Sequence, residues 1–183
     1  AKNDGGVLWS TGPAIISLNT HTVQGSHAGR NGGSISIFDG TKITATTSTY
    51  RYTSSGMNGG MLYITKYADI TFDGVTVLDV QSVKGSGGVA YVSNHATLLM
   101  KDSNIHRSTS FINGGGVSIN SFANVNVQNT NTFQCTSGHG GVFHVNNATL
   151  TTENVISTGS NARVSGGTLS AIQKASITMK SSQ

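Results

Sequence analysis

Charge is scarce in this chain. Asp, Glu, Lys and Arg make up 10% of its 183 residues, against roughly a quarter in an ordinary soluble domain. The net charge is only +4 and no run of Lys or Arg occurs, which argues against nucleic acid or an acidic membrane as the main partner. Cys135 is the one cysteine, so no internal disulfide forms and the redox compartment cannot be read from it. No apolar run approaches the 18 or so residues of a membrane-spanning helix. A secretory leader is absent and the first residue is not Met, so the chain reads as a mature protein or a piece of a longer one. Proline and tryptophan occur once each.

Gly, Ser, Thr and Asn fill the gap. All are poor in helix interiors, and with the β-branched residues they favour turns and strands. Their order is periodic. Gly-Gly pairs begin at 5, 32, 59, 87, 114, 140 and 166, in steps of 27, 27, 28, 27, 26 and 26 residues. After each pair comes a short alternating stretch whose inward members include Leu8, Ile35, Ile37, Leu62, Ile64, Ala90, Val92, Val117, Ile119, Phe143 and Val145. A short polar turn follows. A second alternating stretch then aligns Ile43, Ile70, Leu98, Val125 and Leu150 at one offset. A third, less regular segment contains Val75, Val77, Ile105 and Phe133.

Alternation with period two means strands with one buried face. One such unit cannot bury its apolar face alone, whereas stacked units share a continuous core. The expected fold is therefore all-β: a right-handed parallel β-helix (β-solenoid) of about seven coils of 26–28 residues, with three short strands per coil. Residues 1–183 form one array, expected to be a fragment or an end-to-end stacking subunit. No unit shows the i, i+3, i+4 spacing of a helical solenoid.

Gly-Gly followed by a strand at this period resembles the polymorphic outer-membrane-protein repeat, whose hallmarks are GGA[ILV] and FxxN. The family's Ala position holds Val7, Ser34, Met61, Val89, Gly116, Val142 and Thr168 here, and the segment from Phe133 to Thr136 keeps the Phe without the Asn. The resemblance implies a right-handed parallel β-helix of the kind found in autotransporter-type surface passengers. It also implies a secreted or cell-surface location.

Two columns are expected to face outward. The first holds Trp9, Met61, Tyr63, Val89, Tyr91, Val142 and His144, an apolar-aromatic stripe too large to leave bare on a soluble protein. A second copy of the chain, a flanking segment of a longer protein, or a sugar stacked on the rings would each cover it. The second column is rich in Thr, with Lys42 and Asp69 at one offset as an expected ion pair. Flat Thr arrays suit ice, but Lys42, Asp69, Leu99, Asn124 and Asn126 interrupt this one.

Chemistry is thinly provided. The acids are Asp4, Asp39, Asp69, Asp73, Asp79, Asp102 and Glu153. A polysaccharide-cleaving site needs paired or clustered carboxylates, as acid and base or as Ca²⁺ ligands. Asp69 and Asp73 lie in one short segment, but Asp69 falls in the outward register with Asp73 just past it, and no third acid shares their columns. Asp79 shares its offset with Arg107 as an ion pair. His21, His27, His95, His106, His139 and His144 do not fall at metal-ligand spacing. No metal or other cofactor is expected. Cys135 is expected to pack in the core or at a corner. Asn147-Ala-Thr149 is a glycosylation sequon on a turn. The sequence thus predicts a non-enzymatic extracellular structural or adhesive solenoid that self-assembles, as a filament subunit for instance, or attaches through its apolar-aromatic face. A glycan-binding or polysaccharide-acting β-helix, and an ice-binding protein, are the rivals.

Overall fold

The computed structural model describes residues 1–181, and all regular structure among them is β. Three parallel sheets run the length of the molecule. The first sheet collects the strands that follow each Gly-Gly pair, from Leu8–Ser10 through Leu62–Ile64 and Ala90–Val92 to Leu169–Ile172. The second runs from Ile15–Asn19 through Asp69–Asp73 and Thr97–Lys101 to Ser176–Lys180. The third includes Thr22–Gln24, Thr76–Ser82, Asn104–Ser110 and Ile156–Thr158. The first two sheets have seven rungs each and the third has six. The seven coils expected are thus six full turns and the first two strands of a seventh. At about 4.8 Å per rung the stack is a rod of about 30 Å.

The inward columns fall where alternation places them. Ile43, Ile70, Leu98, Val125 and Leu150 pair rung by rung and are all buried. Val75, Val77 and Ile105 are buried on the third sheet, but Phe133 faces outward beside His106, and Thr132 takes the inward place next to Ile105. Cys135 is buried, and Ser108 Oγ donates to its Sγ at 3.1 Å.

The Gly-Gly pair has a separate reason at each position. The first glycine of every pair is in the left-handed region, with φ between +58° and +72°, which side chains with a Cβ adopt only at a cost. The second glycine of each of the first six pairs lies against the next coil. A Cβ on Gly6, Gly33, Gly60, Gly88, Gly115 or Gly141 would overlap the carbonyl oxygen of the following second glycine. Each pair therefore holds the next at a spacing only hydrogen permits. Just before the pairs, side chains cap the stack: Asn58 N–H donates to Asn31 Oδ1 at 3.2 Å, and Ser86 N–H to Asn58 Oδ1 at 3.1 Å.

Directly after each pair the pleat breaks. The amides of Met61 and Leu62 both donate to the carbonyl of Val89, and those of Val89 and Ala90 both donate to Gly116. The same doubling joins Val142 and Phe143 to Thr168. In a regular strand consecutive amides point to opposite edges. Here two point to the same neighbour, so two consecutive side chains lie on the inner side.

Candidate interaction surfaces

That broken pleat overturns most of the expected outward stripe. Met61, Val89 and Val142 follow the Gly-Gly pairs, and all three are buried in the core cluster. His144 does occupy the outward register, paired with Ser118, yet only 3% of it is exposed. The chain's own turn before each Gly-Gly pair covers this face: Ser36 Oγ donates to Asn31 O at 3.0 Å, and the ring of His139 stands 6.4 Å from that of His144. Tyr63 and Tyr91 are half-buried and stacked at 5.5 Å with planes 9° apart. Burial pushes both hydroxyls above the ordinary tyrosine value. Trp9 alone stands out, 55% exposed. The stripe is a covered edge of the rod rather than a continuous apolar face.

The exposed rings lie one corner further on. Tyr67, His95 and Phe122 stack along the axis at 5.1 and 5.3 Å, with planes 5° and 10° apart. Tyr67 is 67% exposed and Phe122 61%. Their backbones have φ of 61°, 63° and 64°, a region that is unfavourable for aromatic residues. The turn between the first and second sheets demands it, because two left-handed residues in succession turn the chain while the buried Ala68, Ala96 and Ala123 hold the corner. All three rings stand eight residues after the start of their Gly-Gly pair. That shared offset was available in the sequence, but the segment reads there as a polar turn. Asn147 lies on the equivalent turn, half-buried, with φ 49°.

The Thr-rich column is in register as expected, running Ser17, Thr44, Thr71, Leu99, Asn126, Thr151 and Thr178. Lys42 and Asp69 pair at 3.8 Å.

The acids mostly face partners. Asp73 meets Lys101 at 2.7 Å, Asp39 meets Lys66 at 3.8 Å, and Asp79 takes a two-pronged contact from Arg107 at 2.6 and 2.8 Å. The Arg107 hydrogen bonds hold the Asp79 carboxyl below its ordinary value. Asp102 accepts from Asn129, and Asp4 from Asn31. Among the described residues no cluster of three His, Cys, Asp or Glu is placed to hold a metal ion. Among the same residues no helix is long and apolar enough to cross a membrane. Burial raises the Cys135 thiol, and such a thiol is a poor nucleophile.

Two histidines are expected to give the rod a pH dependence. His21 Nε2 bonds the buried Tyr50 hydroxyl at 2.7 Å and its Nδ1 bonds Ser48 Oγ at 2.8 Å. Burial lowers His21 below the usual 6.5; burial, then the neighbouring His139, lowers His144. As pH falls through about 6.5 the unfolded chain takes up these protons before the folded one, so stability declines toward the lower folded values. Thermal unfolding at about pH 5 is expected at a lower Tm than at about pH 7.5. The double variant His21→Gln, His144→Gln should flatten that slope; an unchanged slope would assign it to other groups.

Both ends of the stack leave core columns uncovered among the described residues. Leu8, Ile16 and Leu18 at one end, and Leu169 and Ile177 at the other, are only partly buried against the core, and Met179 is 55% exposed. An apolar hollow of about 150 Å³ opens at the first end between Leu8, Leu18, Val23, Ile35 and Tyr50. The outermost strands of every sheet are hydrogen-bonded on one side only. No protein-family model, no curated protein and no solved structure matches this chain, so the parallel β-solenoid itself is the classification its sequence and structure support.

Proposed function

We propose that this chain is a non-catalytic structural solenoid of a secreted or cell-surface protein, and that its ends receive further coils of the same kind. The surface setting rests on the resemblance of its Gly-Gly repeat to polymorphic outer-membrane-protein repeats. The lack of catalysis is supported by the acids, which are spread over separate turns and mostly engaged with Lys, Arg or Asn partners. No turnover of pectate-type polymers is expected, with or without Ca²⁺.

Gly167 carries the assembly reading. In six turns the second glycine is required because the next coil's carbonyl occupies the space of a Cβ. At Gly167 a Cβ would meet nothing within 4 Å, so the described residues give no reason for glycine there. A coil stacked on that end would. In the isolated chain the coil would come from the other end of a second copy, with the Gly6 carbonyl set against Gly167 as the Gly167 carbonyl is set against Gly141. Such a head-to-tail contact does not close on itself and propagates as a filament. Edge strands with unpaired amides and carbonyls favour that pairing.

The test is Gly167→Ala. The parent is expected to lengthen with concentration, seen as short filaments by electron microscopy and rising mass in sedimentation. The variant should keep the parent's Tm and stay monomeric. A parent that is monomeric at every concentration, or a variant that assembles equally well, overturns end-on stacking of copies.

A further inference from the structure

We propose that the third sheet carries a binding groove for an acidic oligosaccharide, independent of whatever joins the ends. A cleft of about 340 Å³ runs along the axis over the last four rungs of this sheet, at the small end of the roughly 300–1,000 Å³ typical of ligand sites. Its floor is a row of four polar residues in register on successive rungs: Gln81, Thr109, Thr136 and Asn161. Phe111 and Arg163 form the wall.

Three observations, taken together, mark this row among the polar rows of the rod. The first is that its side chains are unspent. In several other rows stacked polar residues zip to one another: Thr46 to Asn19 at 2.8 Å, Asn131 to Asn104 at 3.1 Å, and Asn154 to Asn129 at 3.1 Å. The side chains of Gln81, Thr109, Thr136 and Asn161 make no such bond among the described residues, while Ser110 and Ser137 beneath them are committed to backbone carbonyls at 2.8–2.9 Å. Four free amide and hydroxyl groups repeat at about 4.8 Å, over about 14 Å in all. A chain of hydroxylated rings can meet such a row with a donor or acceptor at each step.

The second observation is Arg163. It is the one charged residue lining the cleft and forms no ion pair among the described residues. Its Nη2 donates to Phe111 O at 2.7 Å and its guanidinium carbon lies 5.4 Å from the Phe111 ring centroid. Those two contacts fix the fork while leaving its other N–H groups free for a carboxylate, the partner its planar geometry suits.

The third is Phe111 itself. It is 58% exposed at the cleft's edge, where an aromatic surface suits the apolar face of a sugar ring. A hydroxyl-matching row, one aromatic wall and one unpaired cation with no carboxylate beside it select a sugar acid over a neutral sugar or a peptide.

Tetragalacturonic acid and its methyl ester, which has the same rings without the charge, are the probes, titrated calorimetrically into the intact chain. Saturable binding of the acid at sub-millimolar to millimolar concentration is expected, with the ester about tenfold weaker or more. Arg163→Gln should bring the acid down to the level of the ester and leave the ester unchanged. Thr136→Val should weaken both. Arg163 and Thr136 are exposed, so both variants should keep the parent's Tm. No saturable binding by the parent overturns the proposal. Binding that Arg163→Gln leaves intact, or an ester that binds as well as the acid, overturns it too, by placing the sugar elsewhere or removing the role of charge.

Discussion

Gly88→Ala is expected to abolish the native stack, at a cost of more than about 4 kcal/mol, beyond the range of ordinary substitutions. The added methyl would overlap the Gly115 carbonyl oxygen and come within 2.7 Å of Thr109 O and 2.8 Å of Thr109 N. All three are backbone atoms, and Thr109 sits in the ladder between Gln81 and Thr136, so none can swing aside as a side chain could. Making room would push adjacent coils apart and break hydrogen bonds on each side, including Gly88 N–H to Gly114 O at 3.0 Å. Gly25→Ala separates this effect from loss of glycine as such. Gly25 has φ +66° but open space around it, so its replacement should cost only the roughly 1–2 kcal/mol of left-handed backbone. Urea unfolding of the two variants checks the ranking. A Gly88→Ala variant as stable as Gly25→Ala would mean that the coils can separate locally at little cost.

The second large effect concerns two phenylalanines on opposite sides of one sheet system. Phe72 is fully buried and stacks on Tyr50 at 5.9 Å, and Phe122 is 61% exposed on the turn ladder. Phe72→Ala is expected to cost about 3–5 kcal/mol through lost burial and the cavity left behind. Phe122→Ala should fall within about 0.5 kcal/mol of the parent. If both cost the same, the exposed ring column would be contributing to the fold and would not be a free surface. Because stacked repeats couple mainly to their neighbours, the Phe72 defect should also loosen the turns that carry Tyr50 and Met100 before the far end. Hydrogen exchange resolved along the chain would read that gradient.

Much of the architecture was legible because a solenoid writes one rule many times. The Gly-Gly period set the coil length. Alternation within each strand set the inward columns, as the rungs from Ile43 to Leu150 illustrate. Equal offsets set the axial neighbours, and so the pairs Asp79–Arg107 and Lys42–Asp69. In each case the information is local: a strand's pleat and a fixed repeat length suffice to place residues side by side.

What tertiary structure alone decided lies at the corners. Alternation carried through the Gly-Gly pair puts Met61, Val89 and Val142 outside. Two consecutive amides sharing one carbonyl break the pleat there and turn them inward, and that sharing is a bond between coils, invisible to a rule about one strand. The same holds for His144, hidden by a turn from its own chain, and for Tyr67, His95 and Phe122, exposed by a turn whose left-handed backbone no polar-turn reading anticipates. The groove beside Arg163 is likewise decided by the fold, since it depends on which of many similar polar rows finds its hydrogen bonds already taken. Period and pleat are properties of the sequence; which side a corner residue faces, and which polar groups remain free, are set by contacts between turns some 27 residues apart.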